Sequence, residues 1–232
     1  MKNVHIETIP VPVAALAAAC LAACLAACSG TPPPPAWKGN AGSALAAFSD
    51  AYLRGDSQIA AAEFARARAE MASTGRPELV AHAELVRCAT RVASMEYDAC
   101  PAFEALAQDA TPAERAYAAY LGGRWDGLDA ALLPQQHRAV LAGAPAGGAK
   151  GLLAPIDDPL ARLVAAGALM RQARIGPADI ALATDTASEQ GWRRPLLMWL
   201  GVALKRAQAA GDSVEASRLQ RRIDLAGATP GP

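Results

Sequence analysis

Outside its first 28 residues the chain has two cysteines, Cys88 and Cys100, and two histidines, His82 and His137, and these four side chains bound the chemistry available to it. In an oxidising compartment a cysteine pair forms a disulfide, and closing this loop would stabilise the fold by about 3 kcal/mol in the chain-entropy model. If the helix bearing Cys88 runs unbroken to Met95, the thiol lies about 10 Å below its end. A bridge needs Cα atoms within about 7 Å. The helix must therefore end early or the Glu96 to Ala99 turn must fold back; two buried thiols, or a metal or redox role, are the alternatives to the expected bond. A hydrolytic triad has only His82 and His137 to draw on as bases, and neither stands in a recognisable motif. Glu104 and Glu114 lack the second acid that paired-carboxylate chemistry needs, and Glu114 has a helix-capping role. Gly147-Gly148-Ala149-Lys150-Gly151 is no phosphate loop, because that motif needs Gly before the Lys and Ser or Thr after it. Arg193-Arg194 and Arg218, Arg221 and Arg222 read as solvated helix faces, with contact to anionic lipid or a partner as the alternative. The expectation is no catalytic residue, no metal, no cofactor and no small-molecule substrate.

The first 28 residues have a different character. A short basic head, Met1-Lys2, leads into an apolar stretch from Val11 to Ala27, and small residues follow at Cys28-Ser29-Gly30. That order is a secretory signal, and the stretch is mostly Ala and only about as long as the shortest membrane-spanning helices. Leu25-Ala26-Ala27-Cys28 resembles the lipobox of bacterial lipoproteins, in which a peptidase cuts beside small side chains and the thiol carries lipid. Leu21-Ala22-Ala23-Cys24 fits the pattern as well, and Ala17-Ala18-Ala19-Cys20 loosely. Cys28 is preferred because polar Ser29-Gly30 and a proline run follow it, whereas Leu25 continues the apolar run after Cys24. Cysteines four apart could share a helix face, but a cleaved signal offers no folded metal pocket. By the same resemblance, Ser29 implies transfer to the outer membrane, with the chain on its periplasmic face and membrane lipid as its first partner. Multiple acyl chains suffice for stable anchoring.

Residues 28–38 read as the lipidated cysteine and a Pro-rich tether, spaced out by four consecutive prolines in extended conformation. Trp37 would rest on the bilayer interface or on the first helix. The remainder is long enough for one substantial core or two small ones. The 22 basic and 22 acidic residues of the whole chain leave a formal charge of zero, and Lys2 and Glu7 of the first 28 residues cancel, which gives nucleic acid no electrostatic handle. Ala dominates the apolar fraction and Arg the basic one, as a GC-rich genome would produce, so the core is assigned on larger side chains.

Helices follow one another throughout. Leu45, Phe48 and Tyr52 mark the first, ending at Gly55; Asp56 caps a second through Ala60, Phe64, Ala67 and Met71, which Gly75 ends. Pro77 opens a third with Leu79, Leu85, Val86 and Val92. A fourth lies around Phe103 and Leu106, and Thr111-Pro112-Ala113-Glu114 has the form of a capping box before Tyr117, Tyr120 and Leu121. Weaker stretches cover 126–142. Residues 143–156 read as a surface loop or a boundary between an N-terminal half, 39–142, and a C-terminal half, 157–227. In the second half, Asp158-Pro159 opens a helix with Leu160, Leu163, Val164 and Met170 that Gly176-Pro177 closes. Ile180 and Leu182 follow. Leu196, Leu197, Trp199, Leu200, Val202 and Leu204 form what reads as the most apolar helix. Asp212-Ser213-Val214-Glu215 is a second capping box before Leu219 and Ile223, and 228–232 a disordered tail. No alternating β-branched run occurs, so the fold is expected to be all-α.

Two segments, Leu45 to Met71 around Gly55-Asp56-Ser57 and Leu197 to Ile223 around Gly211-Asp212-Ser213, share a layout that resembles the helix-turn-helix of tetratricopeptide-like repeats. The resemblance implies antiparallel hairpins stacked as a solenoid and a protein-binding scaffold; another helical bundle would give the same layout. It transfers packing positions only. His82-Ala83-Glu84 resembles half of the zinc-deaminase signature, but the Pro-Cys-x-x-Cys half is missing. The expected function is a lipid-anchored adaptor for an envelope protein, with a structural lipoprotein without specific partner, or a cell-wall enzyme, as the alternatives.

Overall fold

The computed structural model describes residues 34–143 and 151–228. The stretch read as a signal, Cys24, Cys28, the start of the expected tether, residues 144–150 of the Gly-rich segment and the last four residues lie outside the described residues. Among the described residues there are ten α-helices and no strand, so the fold is all-α: α1 (Ala36–Arg54), α2 (Ser57–Ala72), α3 (Pro77–Ala93), one-turn α4 (Pro101–Glu104), α5 (Pro112–Leu121), a 3-10 turn (Ala130–Leu132), α6 (Gln135–Gly143), α7 (Pro159–Arg171), α8 (Pro177–Glu189), α9 (Arg193–Ala209) and α10 (Ser213–Gly227). The helix begins directly after the last proline, so Ala36, Trp37 and Lys38 form the first turn of α1 and not the end of the tether. Nothing in that tripeptide opposes helix once the prolines stop. Trp37 is half-buried on α1.

Helix starts follow local chemistry. The Thr111 hydroxyl accepts from Glu114 N at 3.2 Å, and the Glu114 carboxylate accepts from Thr111 N at 2.9 Å, a complete capping box. Asp158 accepts from Ala161 N at 2.6 Å ahead of Pro159. The box at Asp212 is only half formed: Asp212 accepts from Glu215 N at 2.9 Å, but its own N–H bonds to Ala207 O and the Glu215 carboxylate turns to Arg218. Asp56 stands at an N-cap position without a side-chain bond. Gly55, at φ +99°, makes the sharp turn between α1 and α2 that a side chain would strain.

α1 and α2 form an antiparallel hairpin with α3 packed on both, while α7, α8, α9 and α10 pack in succession. The two sets meet where α3 crosses α7, and α9 also reaches α1. From Ala36 on, the described residues therefore make one compact unit, and the halves suggested by the sequence share a core. α7 is the central helix: Leu163, Val164, Leu169 and four alanines are buried along it, whereas α9, expected to be the most apolar, buries Trp199 and Leu200 but leaves Met198 exposed. The reason is close approach. A Cβ on Gly167 would stand 2.1 Å from the Val92 carbonyl oxygen, so α3 and α7 touch backbone to backbone. Alanine on both helices is here a packing residue.

The segment expected as a surface loop is in part core. Its first residue, Gly143, ends α6, and Leu153 and Ile156 are buried, with Leu153 N–H donating to the buried Asp179 carboxylate at 3.1 Å.

Candidate functional site

Four helices and a 3-10 turn converge on one cleft of about 480 Å³. α3 presents His82, Leu85, Val86 and Ala89, spaced so that they fall on one helical face. The first turns of α5 contribute Ala113, Glu114 and Tyr117; Leu132 to Pro134 and His137 come from the 3-10 turn and α6; Asp158, Leu160, Ala161 and Val164 come from the start of α7. The α5 capping box fixes Glu114 so that one oxygen serves the Thr111 backbone and hydroxyl, each at 2.9 Å, and the other lies 3.3 Å from His82 Nδ1. A residue read as a cap is thus also a carboxylate facing a histidine.

His137 is almost wholly buried, at 1% exposure. Its ring packs 5.5 Å from Tyr117 and 5.2 Å from Tyr120, which in turn stacks on Trp125 at 5.1 Å. Burial pushes its pKa down to about 4, against a smaller opposing pull from Asp158, so the imidazole is neutral at physiological pH. Its Nε2 lies 3.4 Å from the Tyr117 hydroxyl, and burial raises the pKa of that phenol above its ordinary value. The two histidines, unconnected in the sequence, line the same cleft. Tyr117, Asp158, Thr90 and Gln136 add to its polar lining; the sequence placed Tyr117 as an apolar-face residue and Asp158 as a helix opener.

Cys88 and Cys100 are joined in a disulfide with Cα atoms 5.9 Å apart. Both conditions set by the sequence are met. α3 ends at Ala93 rather than running to Met95, with Met95 N bonded to Val92 O and Glu96 N to Arg91 O around a left-handed Met95. The chain then folds back, and Asp98 accepts from Cys100 N at 2.9 Å. Among the described residues the one group of potential metal ligands is Cys88, Asp98 and Cys100, and its two sulfurs are consumed by this bond.

No family model, curated protein or solved structure matches this chain. The chemistry of the cleft must be read from its own residues. Its walls are mainly aliphatic, and among the described residues that line it there is no Lys or Arg; the acids Glu114 and Asp158 sit on the first turn and at the cap of their helices. The Tyr117 and Thr90 hydroxyls are each within bonding distance of a protein partner. Such an arrangement suits binding an apolar group with one or two fixed polar contacts. Among the described residues, no helix is long and apolar enough to cross a membrane.

Proposed function

We propose that this protein is a lipid-anchored envelope adaptor: Cys28 carries the lipid, the proline tether spaces the helical domain from the membrane, and that domain holds another envelope protein. The cleft between α3, α5, α6 and α7 is the observation that carries the binding half of the reading. It is a concave, mainly apolar site of a size ordinary for recognition, and Leu132 at it is 38% exposed, a large apolar side chain left partly uncovered. The resemblance to tetratricopeptide-like repeats supports a scaffold, and the lipobox supports the anchor and an outer-membrane address on the periplasmic face.

Two measurements test it. Cells fed an alkyne fatty acid should label the wild-type chain and not Cys28→Ala; label surviving in Cys28→Ala and lost in Cys24→Ala moves the anchor, and no label in any form removes it. A photoreactive amino acid in place of Leu132 in the intact cell should give one protein adduct of defined mass. Absence of any protein adduct there overturns the adaptor.

A further inference from the structure

We infer that the cleft takes an aliphatic amphiphile whose polar end carries no negative charge, with the chain lying between α3 and α7 and the polar end directed to Tyr117 and His137. The inference shares with the adaptor reading only that the cleft is a recognition site: it assigns an amphiphile to the cleft between α3 and α7, whereas the protein contact is tested at the exposed Leu132. Three observations lead to it.

The first is shape and lining. About 480 Å³ bounded by Leu85, Val86, Leu133, Leu160 and Val164 accepts a flexible hydrocarbon, and burying it would supply the driving force at roughly 25 cal/mol per Å². The second is charge. A carboxylate or phosphate head would find Glu114 and Asp158 and no guanidinium or ammonium among the described lining residues. His137 is held neutral, and the Nδ1 of His82 already lies 3.3 Å from Glu114. Unit charges of like sign within several ångströms in a partly desolvated site repel by more than 1 kcal/mol, which discriminates about tenfold. The third is hydrogen bonding. The Tyr117 hydroxyl and His137 Nε2 are 3.4 Å apart, a long contact that leaves the hydroxyl free to serve a second polar atom. A hydroxyl, carbonyl or amine of the ligand fits that role.

The test uses the full-length lipidated chain in nanodiscs of neutral phosphatidylcholine, with diazirine-bearing analogues of dodecanol, dodecylamine and dodecanoic acid at matched concentration. After irradiation, adducts are mapped by peptide mass spectrometry. The alcohol and the amine should label the segments around His82 to Thr90 and Leu132 to His137, and the acid about tenfold less. Ala113→Trp, at an exposed position on the cleft, should abolish these adducts without lowering the melting temperature. Should that variant melt early, Leu132→Trp fills the cleft from another exposed side chain. Asp158→Asn keeps a good helix cap and should raise labelling by the acid several-fold. Equal labelling by acid and alcohol, or adducts indifferent to both blocking variants, would overturn the inference. A protein adduct at position 132 with no amphiphile labelling leaves the adaptor standing and removes this ligand; the reverse pattern does the opposite.

Discussion

His137 couples this fold to acid. The folded protein holds the ring neutral down to about pH 4, whereas the ordinary histidine value is 6.5, so the unfolded chain binds more protons between those limits. The stability that depends on the neutral ring is complete above 6.5 and is lost as the pH falls toward 4; the shift corresponds to about 3 kcal/mol. Tyr117 and Tyr120 face it from α5 and Asp158 from the α7 cap, and only Asp158 favours the charged ring. His137→Phe keeps an aromatic in the stack and removes the titration. Urea unfolding at about pH 7.5 and about pH 4.5 should show a clearly smaller acid loss in the variant, though it starts lower because Tyr117 loses its partner. Equal losses in both proteins would mean that other groups carry the acid sensitivity.

At the scale of the element, starts marked by a capping side chain and ends marked by Gly55, Gly75 and Gly191 were legible, and ends without a glycine were not. Thr111-Pro112 and Asp158-Pro159 announce α5 and α7 through side chains that bond the free N–H groups, a local chemistry the sequence displays. The ends of α3 and α7 turn instead on Met95 at φ 56° and Ala173 at φ 52°, left-handed residues that are usually glycine and therefore carry no stop signal. Ala173→Gly relieves a backbone cost of about 1 kcal/mol and should raise the melting temperature slightly. Gly167→Ala does the reverse: the added methyl meets Val92 O, a backbone atom that cannot rotate away, and the α3–α7 crossing should lose about 3 kcal/mol or fail to form. Circular dichroism melts of the two variants should move in opposite directions. The same crossing explains what else was hidden. Discounting alanine removed Ala161, Ala165, Ala166 and Ala168 of α7 from view, and His82 and His137 share a cleft only because α3 lies against α7 and α6 packs on the 3-10 turn and on α7. The disulfide was legible as a conditional pairing, since two cysteines twelve residues apart can bond only where the path between them folds back, as it does after Ala93.

Over the whole molecule, one residue ties the two ends of the helical unit together. Arg194, at the start of α9, donates to Tyr52 O at 2.7 Å and Ser57 Oγ at 2.8 Å, pairs with Glu96 at 3.3 Å and lies 4.3 Å over the Tyr52 ring, while Trp192 donates to Asp50 at 3.2 Å. A nearest-neighbour stack would leave α9 in contact with α8 and α10 only; here it also holds the α1–α2 hairpin through the end of α1. Arg194→Ala removes the bonds to Tyr52 O and Ser57 Oγ and leaves Glu96 with Arg91 as its one remaining arginine among the described residues, and should destabilise by about 2 kcal/mol. The Lys variant should recover little of this, since a single ammonium cannot serve three acceptors along a planar fork and cover a ring at once. Hydrogen exchange locates the effect. In the Ala variant, amides of α1 and α2 should exchange faster while those of α3 and α7 keep their protection, because the crossing at Gly167 holds the central pair independently of this clasp. Uniformly faster exchange over all helices would show that the unit opens only as a whole and that Arg194 adds to global stability without closing the hairpin against α9.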